Sequence, residues 1–301
     1  MKHLGFILML LVVFASCKNK KTPQAESVQS RTTGHTDILV DESFNNIIAD
    51  QIEIFTSDYP DAHFTVIPGN ENKILPTFLK DSVRVMVLSR MLTADEEKVY
   101  TKKSIPVYTS RFAIDGIALI TSKENADSTI TADEIISIMK GNSTGVKNLV
   151  FDNAYSSTIR YFKDLAQVKE IPKKGVYTLN TNKDVIKYVS ENKGYIGVVG
   201  INWLIKRYSE PADHTENIKM LGVKNVKGKK GDDAYYKPVQ ENLISGVYPF
   251  LRNIYIINAE GKEGLGTGFA NWLVSQRGQL IVLKSGLGPH KIVSRDFNLK
   301  N

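Results

Sequence analysis

Residues 248–257 read Tyr-Pro-Phe-Leu-Arg-Asn-Ile-Tyr-Ile-Ile, residues 269–282 read Phe-Ala-Asn-Trp-Leu-Val-Ser-Gln-Arg-Gly-Gln-Leu-Ile-Val, and residues 286–289 read Gly-Leu-Gly-Pro. Trp272 sits here in an apolar helical run, as Trp203 does earlier, and both read as core. Gly-Leu-Gly-Thr-Gly at 264–268 has the wrong spacing for a dinucleotide loop and lacks a strand–helix–strand setting, so it reads as a helix start. Working outward, strands and helices alternate. Residues 37–40 form a short apolar strand, and 43–57 place Phe44, Ile47, Ile48, Ile52 and Phe55 at helical spacing. Residues 63–67 alternate as a strand, 68–70 read as a turn, and 71–80 as a short helix despite Pro76. Residues 82–88 are Val-rich, as in an interior parallel strand. Thr93 caps a further helix, with Glu96 three residues on. This alternation predicts an α/β sheet with helices on both faces.

Residues 112–120 (Phe-Ala-Ile-Asp-Gly-Ile-Ala-Leu-Ile) predict a long strand. Residues 131–141 predict a helix with Thr131 as N-cap, Glu134 completing a capping box and Gly141 ending it. Residues 194–200 read Gly-Tyr-Ile-Gly-Val-Val-Gly. Together with the C-terminal quarter, these segments resemble the phosphate-binding proteins that feed ATP-driven phosphate importers. In that family a YPL-R strand returns from one lobe to the other, and a helix with the pattern F-x-x-W/F-x-x-S-x-x-G-Q packs on it. The resemblance makes 112–120 the outgoing crossing strand. It matches 131–141 to L-T-x-x-E-L-x-x-I-F-x-G and 194–200 to G-x-I-G-Y-V-G. It implies a two-lobed, type II periplasmic-binding-protein fold, each lobe a mixed sheet flanked by helices, with two crossing strands as hinge. Lobe one is then 37–112 plus 256–301, and lobe two 113–255. A carrier of this kind grips its ligand without reaction chemistry.

The N-terminus sets the expected compartment. Residues 4–14 are a run of 11 apolar or small residues behind Lys2, well short of the roughly 20 needed to span a bilayer as a helix. They read as a signal-peptide core. Phe14-Ala15-Ser16-Cys17 looks like a bacterial lipobox, in which Cys17, the sole cysteine, is diacylated and becomes the mature N-terminus. The alternative is an ordinary signal peptide with a chance cysteine. Residues 1–17 are thus expected to be a lipoprotein signal, and the polar stretch 18–36 a flexible tether. An exported chain without a second cysteine must be held together by its core alone. The formal net charge is +7, with basic residues grouped in 18–21 and 224–230. The first group lies beside the expected anchor, where it meets anionic headgroups. The second reads as a solvated loop. No aromatics interleave with it as a nucleic-acid platform requires.

Two segments point to a ligand site. Asp41-Glu42-Ser43 joins the first strand to its helix, and Asn153-Ala154-Tyr155-Ser156-Ser157-Thr158 precedes the helical run 159–165. Each puts hydroxyls at a helix N-terminus, where free N–H groups and the helix dipole favour an anion. The alternative is that they are N-caps only. Relatives hold phosphate with a Ser or Thr in a first strand–helix turn, a Ser in a Gly-rich second turn, an acid near the end of a third strand, and R-x-x-G-S-G-T in lobe two. Ser43 matches the first turn. Gly69-Asn70-Glu71-Asn72 occupies the second, Ser89-Arg90 the third strand's end, and Ser156-Ser157-Thr158 the S-G-T. The departures are specific: Asp152 stands where the family has Arg, Ser157 replaces its Gly, and the second turn lacks its Gly–Ser run. Arg90 and Arg160, one per lobe, are the candidate cations, suited to bidentate oxyanion contacts. For Arg160 an ion pair with Asp164 is the alternative. Glu71 or Asp41 is placed to accept the proton of a monohydrogen phosphate, which excludes fully ionised sulfate. Tyr155 either covers the ligand or packs.

His3, His35, His63, His214 and His290 show no metal-ligand spacing, and no G-x-S-x-G is present. No metal, cofactor or enzymatic activity is expected. The sequence reads as a monomeric, lipid-anchored periplasmic solute-binding protein that captures a small oxyanion, phosphate foremost, and delivers it to the permease of an ABC-type importer. The alternative is an anchored sensor or scaffold that kept the fold and no longer binds phosphate.

Overall fold

The computed structural model describes residues 29–142, 145–205, 214–261 and 263–291. The expected signal peptide, Cys17 and the tether up to residue 28 lie outside them. Strand β1 (Gly34–Asp41) leads through a 3-10 turn (Glu42–Phe44) into α1 (Asn45–Asp58). Then come β2 (Ala62–Gly69), α2 (Glu71–Leu79), β3 (Val85–Leu88) and α3 (Ala94–Thr101). The crossing strand β4 (Tyr108–Ser122) is 15 residues long. It is followed by β5 (Thr129–Thr131), α4 (Ala132–Met139), β6 (Asn148–Phe151), α5 (Ser157–Ala166), β7 (Val176–Thr178), α6 (Asn182–Glu191) and β8 (Tyr195–Gly200). A 3-10 turn (Ile201–Leu204), β9 (Ile218–Met220), β10 (Gly222–Lys224) and α7 (Gln240–Ser245) precede the returning strand β11 (Leu251–Asn258). The order closes with α8 (Leu265–Val274), α9 (Gln276–Lys284) and β12 (Gly288–Pro289).

The sheet runs β2-β1-β3-β11-β4-β8-β6-β7, with β12 and β9 also on β4. β1, β2 and β3 are mutually parallel, and β11 is antiparallel to both β3 and β4. The first half of β4 pairs with β11, while Ile117–Ile120 pair antiparallel with β8. β8, β6 and β7 are parallel. One long strand therefore belongs to both lobes, and with β11 it forms the hinge of a two-lobed type II fold.

Alternation along β1 explains the helices on both faces. Ile38 and Val40 pack with Phe44, Ile47 and Phe55 under α1 and with Phe269 of α8, whereas Leu39 packs with Ile74, Phe78 and Tyr100 of α2 and α3. Phe55 sits at the centre of edge-on aromatic contacts with Phe64, Phe269 and Trp272. The Trp272 indole N–H donates to Gln51, whose amide donates to the Gly278 carbonyl, so the buried polar atoms there are used.

Three expectations need correction. The stretch read as tether is shorter at its C-terminal end, because Gly34–Thr36 already pair with β2, with His35 exposed and Gly34 and Thr36 buried. Pro68 and Gly69 finish β2 and only Asn70, the N-cap of α2, turns the chain. The helix expected over 269–282 is two: extended Ser275 ends α8 and caps α9, its side chain accepting from Gly278 N–H.

Candidate oxyanion site

The site is assembled where the hinge strands meet the first turns of both lobes. In lobe one, Asp41 ends β1, and its Oδ1 accepts the Ser43 N–H at 3.0 Å. In lobe two, Ser156 is the N-cap of α5, its hydroxyl accepting from Ile159 N–H at 3.2 Å. That hydroxyl therefore caps the helix. Ser157 and Thr158, buried in the first turn of α5, are different: each hydroxyl accepts from Arg252 Nη1, at 3.1 and 3.0 Å. Across the cleft, Ser43 Oγ lies 3.5 Å from Ser157 Oγ.

Arg252 lies on β11 directly opposite Asp115 of β4, and its Nε donates to Asp115 Oδ2 at 2.8 Å. The two side chains are 2% and 1% exposed. The guanidinium also stands 4.8 Å over the Phe44 ring. Gly200 makes room for it, since a Cβ there would lie 3.1 Å from Arg252 Nη2 and 3.3 Å from Asp115 Oδ2. Burial raises the Asp115 carboxyl above its ordinary range, against the opposing pull of Arg252. Burial likewise raises Asp152, against hydrogen bonds from Ser156 and Asn153. Glu42 is raised by burial and then by the charges of Asp152 and Asp41.

Among the described residues, the buried side-chain atoms with no partner are Asp41 Oδ2, Asn45 Oδ1, Asp115 Oδ1, Asp152 Oδ1, Asn182 Oδ1, both amide atoms of Asn202, Trp203 Nε1 and Arg252 Nη2. Asp115 and Arg252 lie on the two hinge strands, Asp41 and Asp152 at or just past strand ends, and the 3-10 turn carrying Asn202 and Trp203 packs on the Glu42–Phe44 turn, α1 and β4. Buried polar atoms are nearly always satisfied, so a concentration of orphans marks a place built for a polar ligand or water. No orphan borders the surface hollow of about 430 Å³ lined by Asp50, Ile54, Arg277, Leu280, Ile281 and Lys284.

The remaining expected site residues form a second cluster. Glu71 Oε1 takes Arg90 Nε at 2.6 Å and its Oε2 takes Arg160 Nε at 3.1 Å. Arg160 Nη2 donates to Ser89 Oγ at 2.9 Å and Nη1 to Asp164 at 3.3 Å. Arg90 is further held by both oxygens of Glu96 and by the Met91 carbonyl. The sequence picked Glu71, Ser89, Arg90 and Arg160 as ligand contacts. In the structure they contact one another, Glu71 pairing with Arg90 and with Arg160 from the other lobe, and Ser89 accepting from Arg160. Arg252, not Arg90 or Arg160, is the cation beside the lobe-two hydroxyls. Tyr155 is exposed.

Arg252 and Asp115 went unnoticed in the sequence, although each is a charge in the middle of an otherwise apolar strand. Such a residue is nearly always paired or functional. Two of them on the two hinge strands were the available signal.

Comparison with known proteins agrees with this architecture. A family model described as a PBP superfamily domain matches residues 25–277. The phosphate-binding protein PstS of Pseudomonas aeruginosa is 22% identical over 291 residues, covering 86% of this chain and 84% of that protein. A structure described as a phosphate ABC transporter substrate-binding protein with bound phosphate, from Clostridium perfringens, superposes with a TM-score of 0.68 at 19% identity, covering 86% of this chain and 100% of its own. An ABC-type phosphate transport receptor from Vibrio cholerae gives 0.64 at 18% identity, covering 85% and 100%. The chain belongs to the PBP superfamily domain family, as a divergent relative of its phosphate-binding proteins.

Proposed function

We propose that this protein is a solute-binding protein that captures a small oxyanion, phosphate foremost, between its lobes and delivers it to an ABC-type importer. One observation carries the reading: Arg252 is buried at the hinge with Nη2 unpartnered, beside Ser157 and Thr158 at the N-terminus of α5. Both hydroxyls accept from the guanidinium, so their own protons remain available to an anion. The helix N-terminus adds free N–H groups. Asp41 Oδ2 is placed to accept the proton of monohydrogen phosphate, which sulfate lacks. Contacts from both lobes then favour the closed form, and binding shifts an open–closed equilibrium.

The names of the relatives support phosphate as the ligand and an importer as the destination. A periplasmic location and a Cys17 lipid anchor complete the proposal, resting on the N-terminal sequence alone. The second reading is a sensor or scaffold, favoured by Asp152 in place of the family's Arg. Calorimetry on a soluble form that starts after Cys17, with phosphate, arsenate, sulfate and acetate, separates the two. Binding of phosphate and arsenate without sulfate supports the carrier. Absence of binding to all four refutes it.

A further inference from the structure

Three turns leave the carboxyl ends of parallel strands near the cleft, which is where α/β sheets hold their ligands. Glu42–Phe44 follows β1, and Ser156 with the first turn of α5 follows β6. The third turn, Ile201–Leu204, follows β8, the parallel neighbour of β6. It packs on the Glu42–Phe44 turn and α1 of lobe one as well as on β8 and β4, so it touches both lobes. Its two central residues keep polar atoms that the chain does not use. Asn202 is 1% exposed, and neither its Oδ1 nor its Nδ2 has a partner. Trp203 Nε1 is also buried and unpartnered. Trp272 is a contrast, because its indole N–H donates to Gln51. A buried amide without partners bears its full desolvation penalty and gains nothing in return. An apolar side chain of the same size would fill the position of Asn202 without that penalty.

Gly200 joins this turn to the anion site. A Cβ there would stand 3.1 Å from Arg252 Nη2, 3.3 Å from Asp115 Oδ2 and 3.8 Å from Trp203 Cδ1, the ring carbon bonded to Nε1. The unpartnered guanidinium nitrogen and the indole edge that carries the unpartnered N–H thus lie against the same glycine. The other end of the guanidinium, Nη1, is already held by Ser157 and Thr158. An indole N–H only donates, which suits an oxyanion, and it does so without adding charge. The Asn202 amide is held at neither end, so it can present its NH2 to an anionic oxygen or its carbonyl to the proton of a monohydrogen phosphate.

Resting on the oxyanion reading above, we propose that the Ile201–Leu204 turn is a wall of the ligand site and that Asn202 and Trp203 contact the bound phosphate. The Trp203 indole N–H donates to an oxygen of the anion held by Arg252 Nη2, and the Asn202 amide hydrogen-bonds the same anion. These two side chains forgo partners within the chain so that the ligand can supply them.

The test uses Asn202→Leu and Trp203→Phe in a soluble form that starts after Cys17. Each is titrated with inorganic phosphate by calorimetry and melted without ligand. Each is expected to bind phosphate at least about 10-fold more weakly than wild type, the loss of a hydrogen bond to a charged group. Without ligand, Asn202→Leu is expected to melt at or above the wild-type temperature, because it removes an unsatisfied buried amide. A purely structural role for Asn202 would not combine weaker binding with undiminished stability. Phosphate is also expected to change the tryptophan fluorescence of the wild type and not that of Trp203→Phe. Wild-type affinity in either variant overturns the proposal and leaves the carrier standing, with water satisfying the unused atoms. A loss of affinity that comes with a matching loss of ligand-free stability overturns it as well, giving the turn a structural role only. Absence of phosphate binding by the wild type refutes the carrier reading, and this assignment falls with it.

Discussion

Replacing Arg252 with methionine removes the cation from a pair whose side chains are 2% and 1% exposed. The change keeps the apolar stem and deletes the bonds to Asp115, Ser157 and Thr158. Asp115 is left as a buried, unpaired carboxylate. Breaking such a pair from one side costs about 3–5 kcal/mol, and solvent offers little screening at this depth. For a chain of this size the melting temperature is expected to fall by roughly 10 °C. The pH dependence has a definite sign. Burial already raises the Asp115 carboxyl in the folded state, and losing Arg252 raises it further. The folded state then holds a proton that the unfolded state releases. The destabilisation is therefore full above the raised folded-state value and is relieved as pH falls through it toward the unfolded value of about 3.9. Calorimetric melts between pH 8 and 5 are expected to show the gap between wild type and Arg252→Met narrowing as pH falls. Adding Asp115→Leu is expected to restore most of the stability, since a buried pair replaced by apolar residues is often neutral. A gap that stays constant or widens toward pH 5, or a double variant no more stable than Arg252→Met, would refute the reasoning.

Ser157→Ala and Thr158→Val should each weaken phosphate binding by about 1–3 kcal/mol, the range for a lost hydrogen bond to a charged group; unchanged calorimetric affinity in both would exclude the first turn of α5. Arg160→Met cuts the bonds to Glu71 and Ser89 that join the lobes, but Arg160 is 33% exposed, so the screened loss is about 1 kcal/mol. It should appear as a larger radius of gyration in solution scattering without ligand, and an unchanged radius would mean that the pair does not hold the cleft closed. Cys17→Ser should move the protein from the membrane to the soluble fraction on cell fractionation, and continued membrane association would remove the lipid anchor.

The crossing strands, the capped helices and the alternation of β and α were legible in the sequence because their signals are local. Thr93 with Glu96 and Thr131 with Glu134 form the capping boxes their spacing announces. Side-chain alternation in β1 likewise specifies two covered faces. The break at Ser275 was missed because a hydroxyl inside an apolar helical run looks the same whether it faces outward or caps a new helix. The candidate site was legible only in part. Ser43, Ser157 and Thr158 stand at turns that a sequence can locate, and their hydroxyls do meet at the cleft. Which charges accompany them was not legible. Arg252 and Asp115 are 137 residues apart, and Glu71 and Arg160 are 89 apart. By itself the sequence determined many of the elements and their order, since periodicity and caps act within a few residues, while the two-lobed plan came from its resemblance to a known family. Only the tertiary structure decided that Glu71 would consume Arg90 and Arg160 while Arg252 remained with a free nitrogen. Ion pairing depends on which side chains the closed sheet and facing lobes bring within 3 Å or so, and no local pattern encodes that distance.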